Sequence, residues 1–355
     1  DEASMIDMAL MAALLEALPA RTRLILLGDR SQLASVEAGS LFADLCDQGA
    51  SQRPGNDEPA WSSELCAQLH QITGEAFSPS KTSKGESQME DSLVFLRTGY
   101  RFQQDSGIGS LAAAVQNGSM EAIEQVIAAQ SPHLSDLHVE FCTGSLREHW
   151  LREAILTGFQ DMMEATSPEQ AFAAMERFRL LCALRKGPAG TEGLNRLATS
   201  VLRRAGYITS ETEWYQGRPI IILRNHYELQ LFNGDTGILW RDESRQLRAW
   251  FQRPDGTLQP VAPARLPEHA TAYAVTVHKA QGSEFDRVLL VLPEEENRVL
   301  RRELLYTGIT RARKKFILCA DQEILAATVK QQTVRYSGLR GKLHQQLSTA
   351  ASFAK

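Results

Sequence analysis

Five short apolar runs set the terms on which this chain folds: Arg23–Leu27, Leu180–Leu184, Thr271–Val275, Arg287–Leu292 and Phe316–Ala320. Each is too short for a packed helix and lacks the alternation of a strand with one wet face. Such runs predict strands buried on both faces, as in a parallel sheet covered by helices. The run at 23–27 ends in Gly28-Asp29, and the run at 180–184 leads through Gly187-Pro188-Ala189-Gly190 into a helical pattern. Repeated strand–loop–helix units place the chain in the α/β class.

The intervening segments have their own character. Ile6, Met8, Leu10, Met11, Leu14, Leu15 and Leu18 crowd one broad face, and Pro19 closes that helix. A second helix follows Gly39. The stretch 50–92 is rich in Ser, Gly, Pro and Gln and reads as a long surface insertion with one short helix around Trp61–Gln71. Apolar spacing of three and four residues marks helices within 107–130 and 146–178. A second α/β domain is expected to begin near 179. Within 213–265, short β-type runs separated by Asn233-Gly234-Asp235, Arg241-Asp242 and Pro254-Asp255-Gly256 predict a small antiparallel, barrel-like insertion. The expected organisation is therefore a first domain over 1–105, a helical connecting region over 106–178, a second domain over 179–212 and 266–330 interrupted by the β insertion, and a tail over 331–355.

A chain of 355 residues suits two or three domains, and 43% hydrophobic residues suffice for sizeable cores. No apolar stretch approaches the roughly 18–20 residues of a membrane helix. The opening Asp1-Glu2 does not read as a secretory leader. A net charge of −5 argues against an all-basic surface but leaves room for a local basic groove that tracks phosphates. The five cysteines are scattered without a C-x-x-C pair, so neither a metal site nor a disulfide framework is expected, and a reducing cytoplasm fits.

Five blocks carry chemistry. Asp1-Glu2 has the make-up of a Mg²⁺-holding acid followed by an acid that polarises water, although alone it reads first as a surface acid pair or a helix cap. Gly28, Asp29 and Gln32 sit where a strand exits into a loop, the usual ligand-binding end of a parallel sheet. Gln32 is suited to accept from an attacking water and donate to a γ-phosphate. Tyr100-Arg101 pairs a ring that stacks on adenine with a guanidinium that clamps phosphate; the alternative is a packed aromatic beside a solvated Arg. The run Thr276 to Phe285 is the most specific. A small-residue turn after the strand lets backbone approach a ligand closely. Glu284 is suited to accept from a ribose hydroxyl, and Thr276 and His278 to reach DNA phosphates. Near the end, Arg311 follows Thr310 and is the candidate arginine finger, whereas Arg313 to Lys315 reads as a solvated face.

In this order the blocks resemble the motifs of superfamily-one DNA helicases. Asp1-Glu2 is similar to motif II, Gly28–Gln32 to motif III, Tyr100-Arg101 to motif IV, Thr276–Glu284 to motif V and Tyr306–Arg311 to motif VI. The wording at Gly28–Gly39, Ser106–Gly109, Leu180–Arg185, Phe232–Asp235 and Val277–Asp286 resembles the RecD family, the alpha subunits of exonuclease V. The resemblance implies two RecA-like P-loop NTPase motor domains with ATP and Mg²⁺ in the cleft between them, and an SH3-like β insertion in the second. It implies 5′ to 3′ translocation on single-stranded DNA and work with RecB and RecC on DNA ends in double-strand-break repair and recombination. The site residues it implies are Glu2, Gln32, Arg101 and Arg311 for catalysis and Asp1 for the metal. Tyr100, Gln281, Gly282 and Glu284 are implied for the nucleotide, and Thr276 and His278 for DNA. No G-x-x-x-x-G-K-[ST] run occurs in the sequence. The expectation is a C-terminal portion with an incomplete first motor domain, inactive as an ATPase by itself. Alternatives are a stand-alone RecD-like helicase, the helicase half of a relaxase, or a non-catalytic DNA- or subunit-binding module; a nuclease fits least.

Overall fold

The computed structural model describes residues 1–35, 41–48, 61–79, 90–96, 106–129, 136–333, 338–339 and 342. The chain divides into two units, 1–100 with 333–355, and 101–332.

In the first unit a 3-10 turn at Ala3–Met5 leads into helix α1, Met8–Ala17. The Asp7 side chain accepts from Leu10 N at 2.7 Å to cap α1, and the helix stops before Pro19. Helices α2, Leu41–Gln48, and α3, Ser63–Thr73, follow. Ser62 caps α3, and Gly74 ends it in the left-handed region that glycine tolerates. Asp91 accepts from both Ser62 N and Ser62 Oγ, and Trp61 donates to Leu93 O at 2.9 Å, so part of the expected surface insertion is tied down by its own contacts. The expected buried strand at 23–27 does not form. Ile25 is 71% exposed and Leu27 54%, and the segment has no ladder partner among the described residues. An apolar run becomes a buried strand only when neighbours supply the other half of its hydrogen bonds.

The second unit opens with α4, Gly107–Asn117, and α5, Met120–Ala128. Asp136 fastens the start of α4 by accepting from Ser106 Oγ, Gly107 N and Ile108 N. Strand β1, Leu137–Phe141, is followed by α6, Gly144–Met163, and α7, Pro168–Arg177. Strand β2, Phe178–Cys182, is buried throughout and leads into α8, Thr191–Arg204. Five short strands come next: β3 (Pro219–Ile222), β4 (Thr236–Arg241), β5 (Leu247–Gln252), β6 (Leu258–Val261) and β7 (His269–Thr271). The unit closes with β8 (Ala274–Thr276), β9 (Phe285–Val291), α9 (Arg302–Ile309), β10 (Ala312–Ala320) and α10 (Gln322–Lys330).

Strands β1, β10, β9, β2 and β8 form, in that order, a parallel five-stranded sheet. Side-chain alternation sends Leu289, Val291 and Cys319 to a core with α6, α7 and α8. The intervening Leu290 meets Gly308 of α9 on the opposite face. Both faces are thus covered, which explains the unbroken apolar runs. The sheet begins earlier than the expected boundary near 179: β1 pairs with β10, and α6 and α7 pack on the sheet core, so this stretch is part of the α/β body and not a separate helical connector. Strands β3 to β7 make an antiparallel sheet in the order β6-β5-β4-β3-β7, with its own core of Ile220, Ile222, Leu239, Ala249, Phe251 and Val261.

Candidate functional site

The expected site residues fall into a group in each unit. In the first, two backbone bonds draw the acidic pair and the Gly28–Gln32 segment together: Ala3 N donates to Leu27 O at 2.8 Å, and Ser35 N to Ser4 O at 3.2 Å. Glu2 is half-buried and held at φ 55°, a left-handed conformation rare for glutamate. Asp1 is exposed, and its Oδ1 accepts from Glu2 N at 2.9 Å. Asp29 organises the neighbouring loop, accepting from Ser31 N at 2.9 Å and from Gln32 Nε2 at 3.4 Å. The donors on these two segments are hard carboxylate oxygens and one carboxamide, the ligand type Mg²⁺ takes, but no cluster of three or more His, Cys, Asp or Glu able to hold a metal by itself occurs among the described residues. Tyr100 and Arg101 lie outside the described residues.

In the second unit the site grows out of β8 and the junction of β9 with β10. Thr276 ends β8, and its hydroxyl caps a 3-10 turn at Val277–Ala280 by accepting from Lys279 N at 3.3 Å. His278 on that turn is half-buried and Lys279 exposed. Although the residue as a whole is exposed, partial desolvation of its ammonium, reinforced by nearby Arg185, lowers the Lys279 pKa from its ordinary value. Gln281 follows, and Gly282 turns the chain at φ +75°, a conformation that an L side chain would strain. Glu284 then sits at the start of β9.

Strand pairing brings the last block to this loop. Phe285 N donates to Arg311 O at 2.8 Å, and Ala312 is the register partner of Phe285. Arg311 is 2% exposed. Its Nε donates to Thr307 O and its Nη1 to Ser283 O, both at 3.3 Å, and its Nη2 lies 3.5 Å from Thr310 Oγ1. The guanidinium therefore pins the loop of one block to the helix of the other. Arg313 and Lys314 are exposed, as expected of a solvated face, and each also meets an acid. Arg313 reaches Glu284 Oε2 at 3.5 Å and donates to Glu284 O at 3.2 Å, while Lys314 pairs with Asp286 at 2.7 Å.

Two further residues escaped sequence reasoning. Arg179 on β2 is buried, with its guanidinium 4.8 Å from the Phe285 ring centroid and bonded to Ala272 O at 3.3 Å; burial lowers its pKa to about 10. Asn195 on α8 bonds both backbone groups of Ala274. Neither stands in a recognisable motif. Arg179 interrupts an apolar run, which is the one local signal it gives. Arg179 also lines, with Lys279, Glu284 and Arg313, a chamber of about 820 Å³ between the parallel sheet and the β insertion.

Residues 271–319 match the UvrD-like helicase C-terminal domain, and residues 1–54 match an AAA domain. The chain is 35% identical over 358 residues to the RecBCD enzyme subunit RecD of Mycolicibacterium smegmatis, covering 97% of this chain and 53% of that protein. It is 35% identical over 372 residues to the RecBCD enzyme subunit RecD of Haemophilus influenzae, covering 98% and 54%. The chain is thus similar to these RecD subunits along nearly its whole length. It spans about half the length of these curated RecD relatives. The ATP-dependent RecD2 DNA helicase of Deinococcus radiodurans is 33% identical over 164 residues, 45% of this chain and 22% of that protein. Among the described residues no helix is long and apolar enough to cross a membrane.

Proposed function

We propose that this RecD-like chain is part of an ATP-dependent DNA helicase subunit that moves 5′ to 3′ on single-stranded DNA. In this reading it works with RecB and RecC in the cytoplasm, in double-strand-break repair and recombination. The observation that carries the proposal is the Arg311 guanidinium bridging the Ser283 and Thr307 carbonyls, which unites two separate sequence blocks beside Glu284. A buried guanidinium held by two backbone carbonyls presents a planar, oriented fork of N–H donors, the chemistry suited to meet a phosphoryl group.

The roles follow from chemistry. Glu2, half-buried, orients and polarises the attacking water, and Gln32 accepts from that water while its amide faces the γ-phosphate. Asp1 supplies carboxylate oxygen to Mg²⁺. When bound, Mg²⁺ neutralises the charge on the β- and γ-phosphate oxygens of ATP. Arg101 and Arg311 take the charge that develops on the transferring group. Tyr100 stacks on the base, Glu284 accepts from the ribose, and Gln281 with Gly282 keeps the backbone close. Thr276 and His278 hold the DNA backbone.

The test uses the intact protein with its partner subunits. ATP hydrolysis should rise on adding oligothymidylate, and streptavidin should be displaced from the 3′ end of a biotinylated strand. Displacement from the 5′ end alone would refute the polarity. Unchanged hydrolysis in Glu2→Gln would refute the assignment of the water-polarising acid.

A further inference from the structure

The outer edge of the parallel sheet is completed by a side chain. Strand β8 is the last in the order and, among the described residues, pairs only with β2. In a parallel strand the N–H and C=O of one residue point to the same side. Those of Ala274 point away from β2, where no further strand lies among the described residues. Ala274 is 2% exposed, so water does not solvate them. An orphaned buried pair of this kind is costly.

Asn195 supplies both partners. Its Oδ1 accepts from Ala274 N at 2.9 Å, and its Nδ2 donates to Ala274 O at 3.1 Å. Only one orientation of the carboxamide satisfies both groups, so the amide is fixed by its network. Asn195 is itself 9% exposed. One turn along α8, Thr199 Oγ1 lies 3.5 Å from Tyr215 OH, which accepts from Tyr273 OH at 3.3 Å. The same helix face thus holds two consecutive residues of the edge segment. The start of α8 is in turn locked to the loop after β2, with Thr191 N donating to Leu184 O at 2.9 Å and Glu192 N to Arg185 O at 3.0 Å.

We propose that Asn195 is a positioning residue for single-stranded DNA. It sets the height of β8 and so of Thr276 and His278, which leave the strand two and four residues beyond Ala274. The inference rests on the DNA-contacting role proposed above for those two residues. α8 serves as the rigid member between the Arg185 loop and the Thr276 turn, and the Asn195 carboxamide is the joint. Asn195 acts through Ala274 and touches neither DNA nor nucleotide in this scheme.

Four variants of the intact protein, assembled with its partners, test this: Asn195→Ala, Asn195→Asp, Asn195→Gln and a Thr276→Ala, His278→Ala double variant. Anisotropy of fluorescein-labelled oligothymidylate gives Kd. Hydrolysis titrated with the same oligonucleotide gives the half-saturating concentration and kcat, and a melt checks folding. Asn195→Ala and Asn195→Asp should raise Kd and the half-saturating concentration about tenfold, leaving kcat at saturating oligonucleotide and KM for ATP unchanged. Asn195→Asp is the sharper case, because its carboxylate would face the Ala274 carbonyl oxygen. Asn195→Gln keeps both bonding atoms and should recover most of the affinity. Should Asn195→Ala not fold, the comparison of Asp with Gln decides. Wild-type affinity in folded Asn195 variants beside a weakened double variant overturns the positioning role alone. Wild-type affinity in the double variant overturns the DNA role of the turn and the inference with it.

Discussion

Arg311 is predicted to be both a catalytic and a structural residue, and the two contributions are separable. Truncation to Ala removes donors from the Thr307 and Ser283 carbonyls in a site that is 2% exposed. Both bonds are 3.3 Å, long for charge-assisted bonds, and Thr307 O keeps a second donor in Thr310 Oγ1 at 3.1 Å, so the two lost bonds account for about 1–2 kcal/mol together and the void left by the buried stem for about as much again. Arg311→Ala should therefore destabilise its unit by about 2–4 kcal/mol. For a body of this size that corresponds to a fall in melting temperature of roughly 5–15 °C. Arg311→Lys keeps the stem and the charge but not the planar fork, and should lose less than half as much. DNA-stimulated hydrolysis, assayed well below each variant's own midpoint, should fall at least about tenfold in both, since Lys does not reproduce the geometry of an arginine finger. A melting temperature unchanged in Arg311→Ala would refute the anchoring argument. Normal turnover in Arg311→Lys would refute the finger.

Two further outcomes follow from packing and burial. A Cβ at Gly193 would lie 2.4 Å from both Gly187 O and Pro188 O, backbone atoms of the loop clamped on α8. Gly193→Ala should thus cost about 2 kcal/mol or more in a thermal melt; an unshifted midpoint would mean that the loop yields freely. Burial pushes the Cys182 and Cys319 thiols up to about 12 from the ordinary 9.0. Because the folded values are raised, the unfolded chain ionises first, so stability is full below pH 9 and is lost as pH rises towards 12. At pH 10 the loss is about 1.4 kcal/mol per thiol. Melts at pH 8.5 and 10 should diverge more in the parent protein than in a Cys182→Ala, Cys319→Ala double variant; equal divergence would refute the linkage.

The parallel sheet was legible because β2, β9 and β10 are buried on both faces and carry unbroken apolar runs. Strand β1 was not. It alternates Leu137 and Val139 with His138 and Glu140 at the sheet edge, and only Leu137 is fully buried, so its polar half hides it among helices. The run at 23–27 misled for the opposite reason: composition reports what a segment tolerates, whereas a strand also needs a partner. Arg313 and Lys314 read as a charged face and are exposed, but their contacts with Glu284 and Asp286, at the register shift between β9 and β10, could not be read locally. Asn195 was invisible, since its role depends on an edge strand that arrives 79 positions later. Local pattern reveals elements; pairing between distant elements decides which polar residues acquire work.

That pairing also accounts for how the second unit gathers its proposed nucleotide residues. Glu284 and Arg311 are separated in sequence, but Phe285 and Ala312 are register partners, and the Phe285 N to Arg311 O bond joins the two ends directly. The Arg311 side chain then reaches back to Ser283 O, so backbone and side chain close on the same loop from two directions. If Arg311 meets a phosphoryl group by exchanging its bond to Ser283 for one to phosphate, the loop that holds Ser283 is released. Ser283 belongs to the loop that begins at the Thr276 turn, so that exchange would be felt along the covalent path to the proposed DNA contacts. Only a differential interaction of this kind, made in one nucleotide state and absent in another, lets a motor domain convert hydrolysis into a change of grip on DNA.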